Sequence, residues 1–114
     1  MSGNSVSQPN IDLYNSAMSP FKGQTLTQAG RGVTKHPQYF GFEDNNSLRS
    51  VYRSDAELNG IASERLKDVL TNGIMTRGTP TAHYPSGWIT YTLPNGNAAS
   101  WGLDGGFIGF RGVK

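Results

Sequence analysis

The sequence predicts an α+β fold, in which N-terminal helices pack on one face of a small antiparallel sheet of four to five strands. Three observations support this class. Apolar residues recur at helical spacing between residues 54 and 73. After residue 87 the apolar period changes to two, as in a strand that buries one face. An Asn-Gly pair within residues 94–97 then favours a tight hairpin turn.

The segment SDAELNGIASERLKDVLTNG, residues 54–73, predicts the longest helix. Its apolar residues fall on one face: Leu58, Ile61, Ala62, Leu66, Val69 and Leu70. Ser54 followed three residues later by Glu57 forms a capping box at the N-terminus. Gly73 supplies a left-handed residue that ends the helix. Just upstream, the spacing of Leu48 and Tyr52 predicts a short helix over residues 47–53.

The strands follow in the second half of the chain. Residues 88–93, WITYTL, are β-branched and aromatic, and AASWGL after the Asn-Gly turn pairs back on them. A turn at residues 104–106 leads to a third strand at 107–110, and residues 74–76 add a further strand at the edge. The predicted order is helices first and an antiparallel meander second.

We divide the chain into a flexible leader or linker, residues 1–20, and a single domain, residues 21–114. The leader is rich in Asn, Ser, Gln and Gly. The absence of cysteine excludes a disulfide framework, a thiol nucleophile and a Cys-based zinc site. The sequence also lacks an apolar run near the ~20 residues that would span a bilayer, and it lacks an HExxH motif or a His-rich cluster. We therefore expect neither a metal nor a cofactor.

The net charge of +2 is unevenly distributed along the chain. Residues 54–74 carry a net charge of −2, whereas residues 21–53 carry +3 and residues 75–114 carry +2. The basic flanks would attract a polyanion if they met in space. A total of +2 predicts weak, salt-sensitive attraction rather than dense coating of DNA.

The stretch GRGVTKHPQYFGF, residues 30–42, carries the first candidate for chemistry. Pro37 disfavours a helical backbone at His36, so we place Lys35 and His36 on a loop. Histidine can transfer a proton near neutral pH and lysine supplies a fixed charge beside it, which suits phosphodiester cleavage. We assign both to catalysis and Arg31 to substrate binding. The alternative is an exposed loop histidine beside a solubilising lysine.

A second cluster lies in MTRGTPTAHYPSGW, residues 75–88. Its hydroxyl and guanidinium groups can donate to phosphate oxygens. We assign Arg77 and Thr79 to catalysis, and Thr76 and His83 to substrate binding. An ordinary Thr/Pro/Gly loop has the same composition, so that interpretation stays open.

Two further assignments to substrate binding come from the predicted strands. Trp101 is either a base-stacking platform or a core residue. Arg111, at the end of the last strand, either reaches the same surface or faces solvent.

Three stretches together, GRGVTKHPQYFGF, YRSDAELNGIASERLKDVLTNG and YTLPNGNAASWGLDGGFIGF, carry a resemblance that covers about residues 30–111. They resemble the C-terminal toxin domains of polymorphic bacterial toxins, including contact-dependent growth-inhibition proteins. Such domains are similar to the superfamily that joins barnase, EndoU, the tRNase colicins and RelE. In that superfamily N-terminal helices pack on a four- or five-stranded antiparallel sheet.

The resemblance implies an antibacterial endoribonuclease, with tRNA as the expected substrate and a cognate immunity protein as a partner. It implies delivery from the surface of the producing cell, or secretion as part of a larger protein, and action in the cytoplasm of the target cell. Catalytic residues vary within the superfamily. Only the habit of a basic loop with His and Lys, as in colicin D, matches Lys35 and His36.

The combined hypothesis is a metal-independent endoribonuclease that leaves a 2′,3′-cyclic phosphate and a 5′-hydroxyl end. His36 transfers the proton, Lys35 and Arg77 stabilise charge on the phosphate, and hydroxyl groups orient its oxygens. An inhibitor of such a basic cleft should be acidic. The alternatives are a non-catalytic RNA-binding or protein-interaction module, and a toxin of another chemistry such as a nucleotide-modifying transferase.

Overall fold

A computed structural model describes residues 8–82, 85 and 87–112 of the chain, and every structural statement below refers to these residues. The helices are α1 (Gln8–Ala17), α2 (Gln28–Lys35), α3 (Asn45–Val51) and α4 (Asp55–Asn72). Short 3-10 turns occur at Phe21–Gly23 and Pro37–Phe40. The strands are β1 (Ile74–Gly78), β2 (Trp88–Thr92), β3 (Ala98–Gly102) and β4 (Phe107–Arg111). They form one antiparallel sheet in the order β1-β2-β3-β4, so the predicted α+β class is confirmed.

Helix α4 begins as its sequence predicts but ends differently. The Ser54 side chain accepts a hydrogen bond from the Glu57 backbone N–H, and Glu57 accepts one from the Ser54 N–H, which completes the capping box. Gly73 is extended, with φ −79°, rather than left-handed. A Cβ at this position would lie 2.4 Å from the Val69 carbonyl oxygen. Glycine is therefore needed here for a close approach of the backbone, because the chain passes directly from α4 into β1.

The β2–β3 hairpin fixes which side chains share a face of the sheet. The Leu93 N–H donates to the Asn97 carbonyl at 2.8 Å, and Gly96 has φ 93°, as a tight Asn-Gly turn requires. The resulting register pairs Thr90 with Ser100 and Ile89 with Trp101. Because neighbouring residues in a strand point to opposite faces, Trp101 faces the helices whereas Ser100 faces away from them.

Trp101 belongs to the core. Its side chain is 0% exposed, and its indole N–H donates to the Leu13 carbonyl at 2.9 Å. Its ring contacts Tyr91 and Phe107 edge to face, with centroids 5.9 and 5.5 Å away. The assignment of Trp101 to substrate binding is therefore wrong, since no part of the ring is accessible to a base. The core alternative is correct.

Residues 8–20 are not a loose leader. Leu13 and Ala17 of α1 are buried in the core, and the Tyr14 hydroxyl is hydrogen-bonded to Ser63 of α4 at 2.6 Å. Asn10 donates to the Leu70 carbonyl and accepts from the Tyr91 hydroxyl. This helix was missed because much of its attachment comes from polar side chains rather than from an apolar stripe. Residues 1–7 lie outside the described part of the chain.

Helix α2 was also not predicted, because two glycines give the segment QAGRGVTK low intrinsic helix propensity. Its packing explains both glycines. A Cβ at Gly30 would lie 2.3 Å from Oδ1 of Asn59 in α4, and one at Gly32 would lie 3.1 Å from the Phe110 ring in β4. The glycines therefore let α2 lie close to α4 and to the last strand together.

Candidate functional site

A groove runs along the β4 edge of the sheet, and we call it the β4 groove. It consists of two adjoining clefts of about 350 and about 110 Å³. The first is lined by His36, Tyr39, Ile108, Gly109, Phe110, Arg111 and Gly112. The second is lined by Phe21, Gln28, Arg31, Gly32, Lys35, His36, Phe107, Ile108 and Gly109. His36 lines both clefts and therefore lies at the centre of the groove.

The end of α2 determines the position of His36. Its backbone N–H still donates to the Gly32 and Val33 carbonyls, but φ is −136°, and Pro37 then starts the 3-10 turn. Proline disfavours a helical conformation in the residue before it, which explains why α2 ends here. The His36 ring stacks on Tyr39, with centroids 4.9 Å apart and an interplanar angle of 21°. Lys35 itself is the last helical residue, so the predicted loop begins one residue later than expected.

Three cationic side chains line the groove around His36: Arg31, Lys35 and Arg111. None of the described lining residues is acidic. Arg31 is held by a hydrogen bond from its Nη1 to Oγ1 of Thr34 at 3.1 Å, and its guanidinium lies 5.6 Å from the Phe21 ring centroid. Arg49 and Asp55 form an ion pair in the described part of the chain, and neither residue lines the groove. The described lining of the groove is therefore basic.

Arg111 is held by a hydrogen-bonded pair of hydroxyl groups, of which Ser100 is buried and Thr90 is half-buried. Its Nε donates to Oγ of Ser100 at 3.1 Å, and Ser100 Oγ is 2.7 Å from Oγ1 of Thr90. Ser100 is 0% exposed although it faces away from the helices. Arg111 is exposed and lines the groove, and the hydrogen bond to Ser100 fixes the direction of its side chain.

The second predicted cluster lies at the other edge of the sheet. Thr76 and Arg77 belong to β1, and Thr79 follows it; all three are exposed. With β1 and β4 at opposite edges, three strand spacings of ~4.8 Å separate them by about 14 Å. The structure therefore does not bring Arg77, Thr76 and Thr79 to His36, contrary to our expectation. His83 lies outside the described residues.

A larger cleft of about 500 Å³ lies on another part of the surface, between α4 and the aromatic side chains that follow α2. It contains Arg65 together with Glu64 and Asp68. Burial lowers the pKa of Arg65, an effect that the nearby Asp68 carboxylate partly opposes. The Arg65 guanidinium stacks on Phe40 at 4.2 Å and donates to the Tyr39 carbonyl. This mixed charge makes the cleft a poorer match for a polyanion than the β4 groove.

Three residues of the groove or its support were missed by sequence reasoning. Tyr39 was not assigned to the site from the sequence, but it stacks on His36 and lines the groove. Phe21 had no sequence signal. Ser100 could have been found, because the register set by the Asn-Gly turn pairs it with Thr90 on the face opposite the helices. By contrast, the Phe40 ring contacts Phe110 of β4 and the Phe42 ring contacts Tyr52 after α3, so neither ring belongs to the described lining of the groove.

Comparison with protein-family models, with curated proteins and with solved structures finds no match for this chain. Within the described residues, no three His, Asp or Glu side chains are grouped so that they could hold a metal ion. No helix in this part of the chain combines the length and the apolar character needed to cross a membrane.

Proposed function

We propose that this domain is an endoribonuclease whose active site is the β4 groove. The observation that carries the proposal is the position of His36, a proton carrier at the centre of a groove lined by three cations and by no described carboxylate. A phosphodiester is the substrate class that such a site matches, because it needs positive charge around the phosphate and a proton carrier beside it. Tyr39 and Phe21 add aromatic surface next to the cations, as expected of a site for single-stranded RNA.

The reaction uses the RNA 2′-hydroxyl as the nucleophile. His36 acts either as the base, accepting the 2′-hydroxyl proton as the oxygen attacks the adjacent phosphorus, or as the acid, donating a proton to the departing 5′-oxygen. Solvent water takes the other role, so the proton lost by the 2′-oxygen is balanced by the one gained by the 5′-oxygen. The new bond joins the 2′-oxygen to phosphorus and the bond to the 5′-oxygen breaks. The products are a 2′,3′-cyclic phosphate and a 5′-hydroxyl end. In the proposed mechanism His36 and the cations of the described lining act without a metal ion.

The cations stabilise the extra negative charge that develops on the phosphate in the transition state. Lys35 is next to His36 in sequence, and Arg31 lies one helical turn earlier on α2. Arg111 approaches from β4 on the opposite wall. Charge stabilisation by fixed donors commonly contributes more to catalysis than any other single effect. In this assignment Arg31 and Arg111 replace Arg77 as the partners of Lys35.

The wider biology follows from the resemblance to polymorphic toxins and is part of the same proposal. tRNA is the expected substrate, and the cytoplasm of a target cell is the expected place of action. A cognate immunity protein would then be needed by the producing cell. An acidic protein surface that covers the β4 groove would bind it by charge complementarity and would exclude RNA.

The test is cleavage of purified tRNA by the purified domain in the presence of EDTA, with products analysed for 5′-hydroxyl and 2′,3′-cyclic phosphate ends. We expect cleavage by the wild type and a loss of ~10² to 10⁴ in rate for His36→Ala, the usual contribution of general acid-base catalysis. Expression of both proteins in a bacterium, followed by gel analysis of total RNA, should show the same difference.

Three results would contradict the proposal in different ways. Undiminished cleavage by His36→Ala would remove this residue from the mechanism while leaving the activity. Binding of tRNA by the wild type without new 5′-hydroxyl ends would indicate the non-catalytic RNA-binding module. A requirement for an added cosubstrate would instead indicate a nucleotide-modifying transferase.

A further inference from the structure

Ser100 is a buried hydroxyl that packing alone does not explain. It occupies the centre of β3, is 0% exposed, and lies on the face of the sheet turned away from the helices. Burial of a hydroxyl is unfavourable unless it is hydrogen-bonded, and alanine would fit at this position with no such cost. Ala98, two residues earlier on the same face of β3, is a small apolar residue that is buried there.

The hydrogen bonds of Ser100 connect it to the groove. Its Oγ accepts from Nε of Arg111 at 3.1 Å and lies 2.7 Å from Oγ1 of Thr90. With Nε engaged, the two terminal nitrogens of Arg111 remain as donors at the exposed end of the side chain. A guanidinium fixed in this way presents a planar pair of donors, the geometry that binds a phosphate through two parallel hydrogen bonds.

The wall next to Arg111 is open. Gly109 pairs with Ser100 in the neighbouring strand and lines both clefts of the β4 groove. A Cβ at Gly109 would meet no described atom within 4 Å, so the described part of the chain leaves this side of Gly109 uncovered. A phosphate could therefore approach Arg111 along the strand from the direction of His36.

From these contacts we infer that Thr90, Ser100 and Arg111 form a phosphate-binding subsite of the β4 groove. Arg111 contacts the phosphate, and Ser100 and Thr90 are positioning residues that act through it. The ligand class is the phosphodiester of a single-stranded nucleic acid. The choice of this ligand rests on the proposed function, but binding at the subsite does not require that the chain be cut.

The experiment measures binding of a single-stranded deoxyribonucleotide oligomer to the full chain at several salt concentrations. The oligomer lacks the 2′-hydroxyl and cannot be cleaved by the proposed reaction. We compare the wild type with Arg111→Ala, Ser100→Ala and Thr90→Val, and include Thr90→Ser, which keeps the hydroxyl. Thr76→Ala is the matched control, because Thr76 pairs with Thr90 on the same face but lies at the far edge. Urea unfolding verifies that each variant is folded.

Arg111→Ala should weaken binding about tenfold or more and reduce the salt slope by ~0.7, the loss of one phosphate contact on a single strand. Ser100→Ala and Thr90→Val should weaken binding ~2- to 10-fold, the value of one hydrogen bond, without changing the slope because the cation stays. Thr90→Ser and Thr76→Ala should bind like the wild type. Cleavage of RNA by the same variants should fall in the same order.

Unchanged binding by Arg111→Ala would overturn the subsite. Weaker binding by Arg111→Ala together with unchanged binding by both Ser100→Ala and Thr90→Val would overturn the positioning role. Either result can occur while the wild type still cuts RNA, in which case the proposed function stands and this inference fails. Conversely, the wild type could bind the oligomer more tightly than Ser100→Ala does and yet cut no RNA. That result would support the subsite and contradict the nuclease.

Discussion

The two edges of the sheet carry similar residue types but differ in their surroundings. At the β4 edge, α2 and the 3-10 turn after it form a groove in which Arg31 is held by Thr34 and Arg111 by Ser100. At the β1 edge, Ile74 and Met75 are 72% and 46% exposed. Within the described residues, no hydrogen bond of this kind holds Arg77.

This difference shows that residue type alone does not make a site. A cation or a hydroxyl group becomes a candidate for chemistry only when the fold holds it in place next to other functional side chains. An exposed arginine on an edge strand loses side-chain entropy when it binds a ligand. An arginine whose inner nitrogen is already hydrogen-bonded loses less. The proposed activity should therefore depend on the β4 edge and be insensitive to the β1 edge.

The largest expected difference between the two edges is in the rate of RNA cleavage. His36→Gln keeps a polar side chain but removes the titrating ring, so RNA cleavage should fall by ~10² to 10⁴. Arg77→Ala and Thr79→Ala should retain the wild-type rate within about twofold, as surface substitutions usually do. Initial rates on the same tRNA measure the difference. A large loss for Arg77→Ala with little loss for His36→Gln would reverse the assignment.

The next effect concerns the centre of the sheet, which supports both edges. Trp101→Ala leaves a cavity among Leu13, Tyr91 and Phe107 and removes the hydrogen bond to the Leu13 carbonyl, so the free energy of unfolding should fall by ~3 to 5 kcal/mol. Arg77→Ala should change it by less than about 0.5 kcal/mol. Urea unfolding followed by circular dichroism measures both. A loss below about 1 kcal/mol for Trp101→Ala would contradict the core role of its ring.

The sequence predicted those parts of the fold that local signals determine. The capping box of α4 and the Asn-Gly turn of the hairpin each act within a few residues, and both are confirmed. Helices α1 and α2 were missed because distant contacts stabilise them, including the close packing of Gly30 on Asn59.

The site was only partly predictable for the same reason. Lys35 and His36 stand out by residue type, and Arg111 was considered for the same surface. The packing of α2 on β4 brings these residues to the same edge of the sheet, and the sequence alone does not predict that packing. The meander places β1 farthest from β4, so the second cluster around Arg77 is separated from the first. The catalytic roles themselves stay predictions.

A smaller difference between the two edges is expected in the salt dependence of RNA binding. Lys35→Ala should lower the slope of the logarithm of RNA affinity against the logarithm of salt concentration by ~0.7, because one phosphate contact is lost. Arg77→Ala, which removes the same charge from the other edge, should leave the slope unchanged. Titrations between 50 mM and 200 mM salt provide the slopes. Equal reductions for both variants would indicate diffuse attraction by net charge rather than a defined groove.

The smallest effect lies away from both edges, at the start of α3. The Ser47 backbone N–H donates to the Asp44 carboxylate and lowers the pKa of Asp44. A lowered pKa in the folded state means that the charged cap stabilises the protein above the unfolded pKa of about 4, and this contribution is lost as the pH falls through the folded value.

The control for this effect is Asp44→Ser, a cap that does not titrate. The wild type should lose more stability than this variant when urea unfolding is repeated at decreasing pH below about 4. Equal losses for the two proteins would show that the Asp44 cap does not contribute to acid sensitivity.

The most direct measurement of the central claim is NMR mapping of a bound, uncleavable single-stranded deoxyribonucleotide oligomer on the full chain. Our account predicts that the largest chemical-shift changes fall on residues 31–39 and 107–112, with residues 74–79 nearly unchanged. Changes concentrated on residues 74–79, with residues 31–39 unaffected, would contradict it.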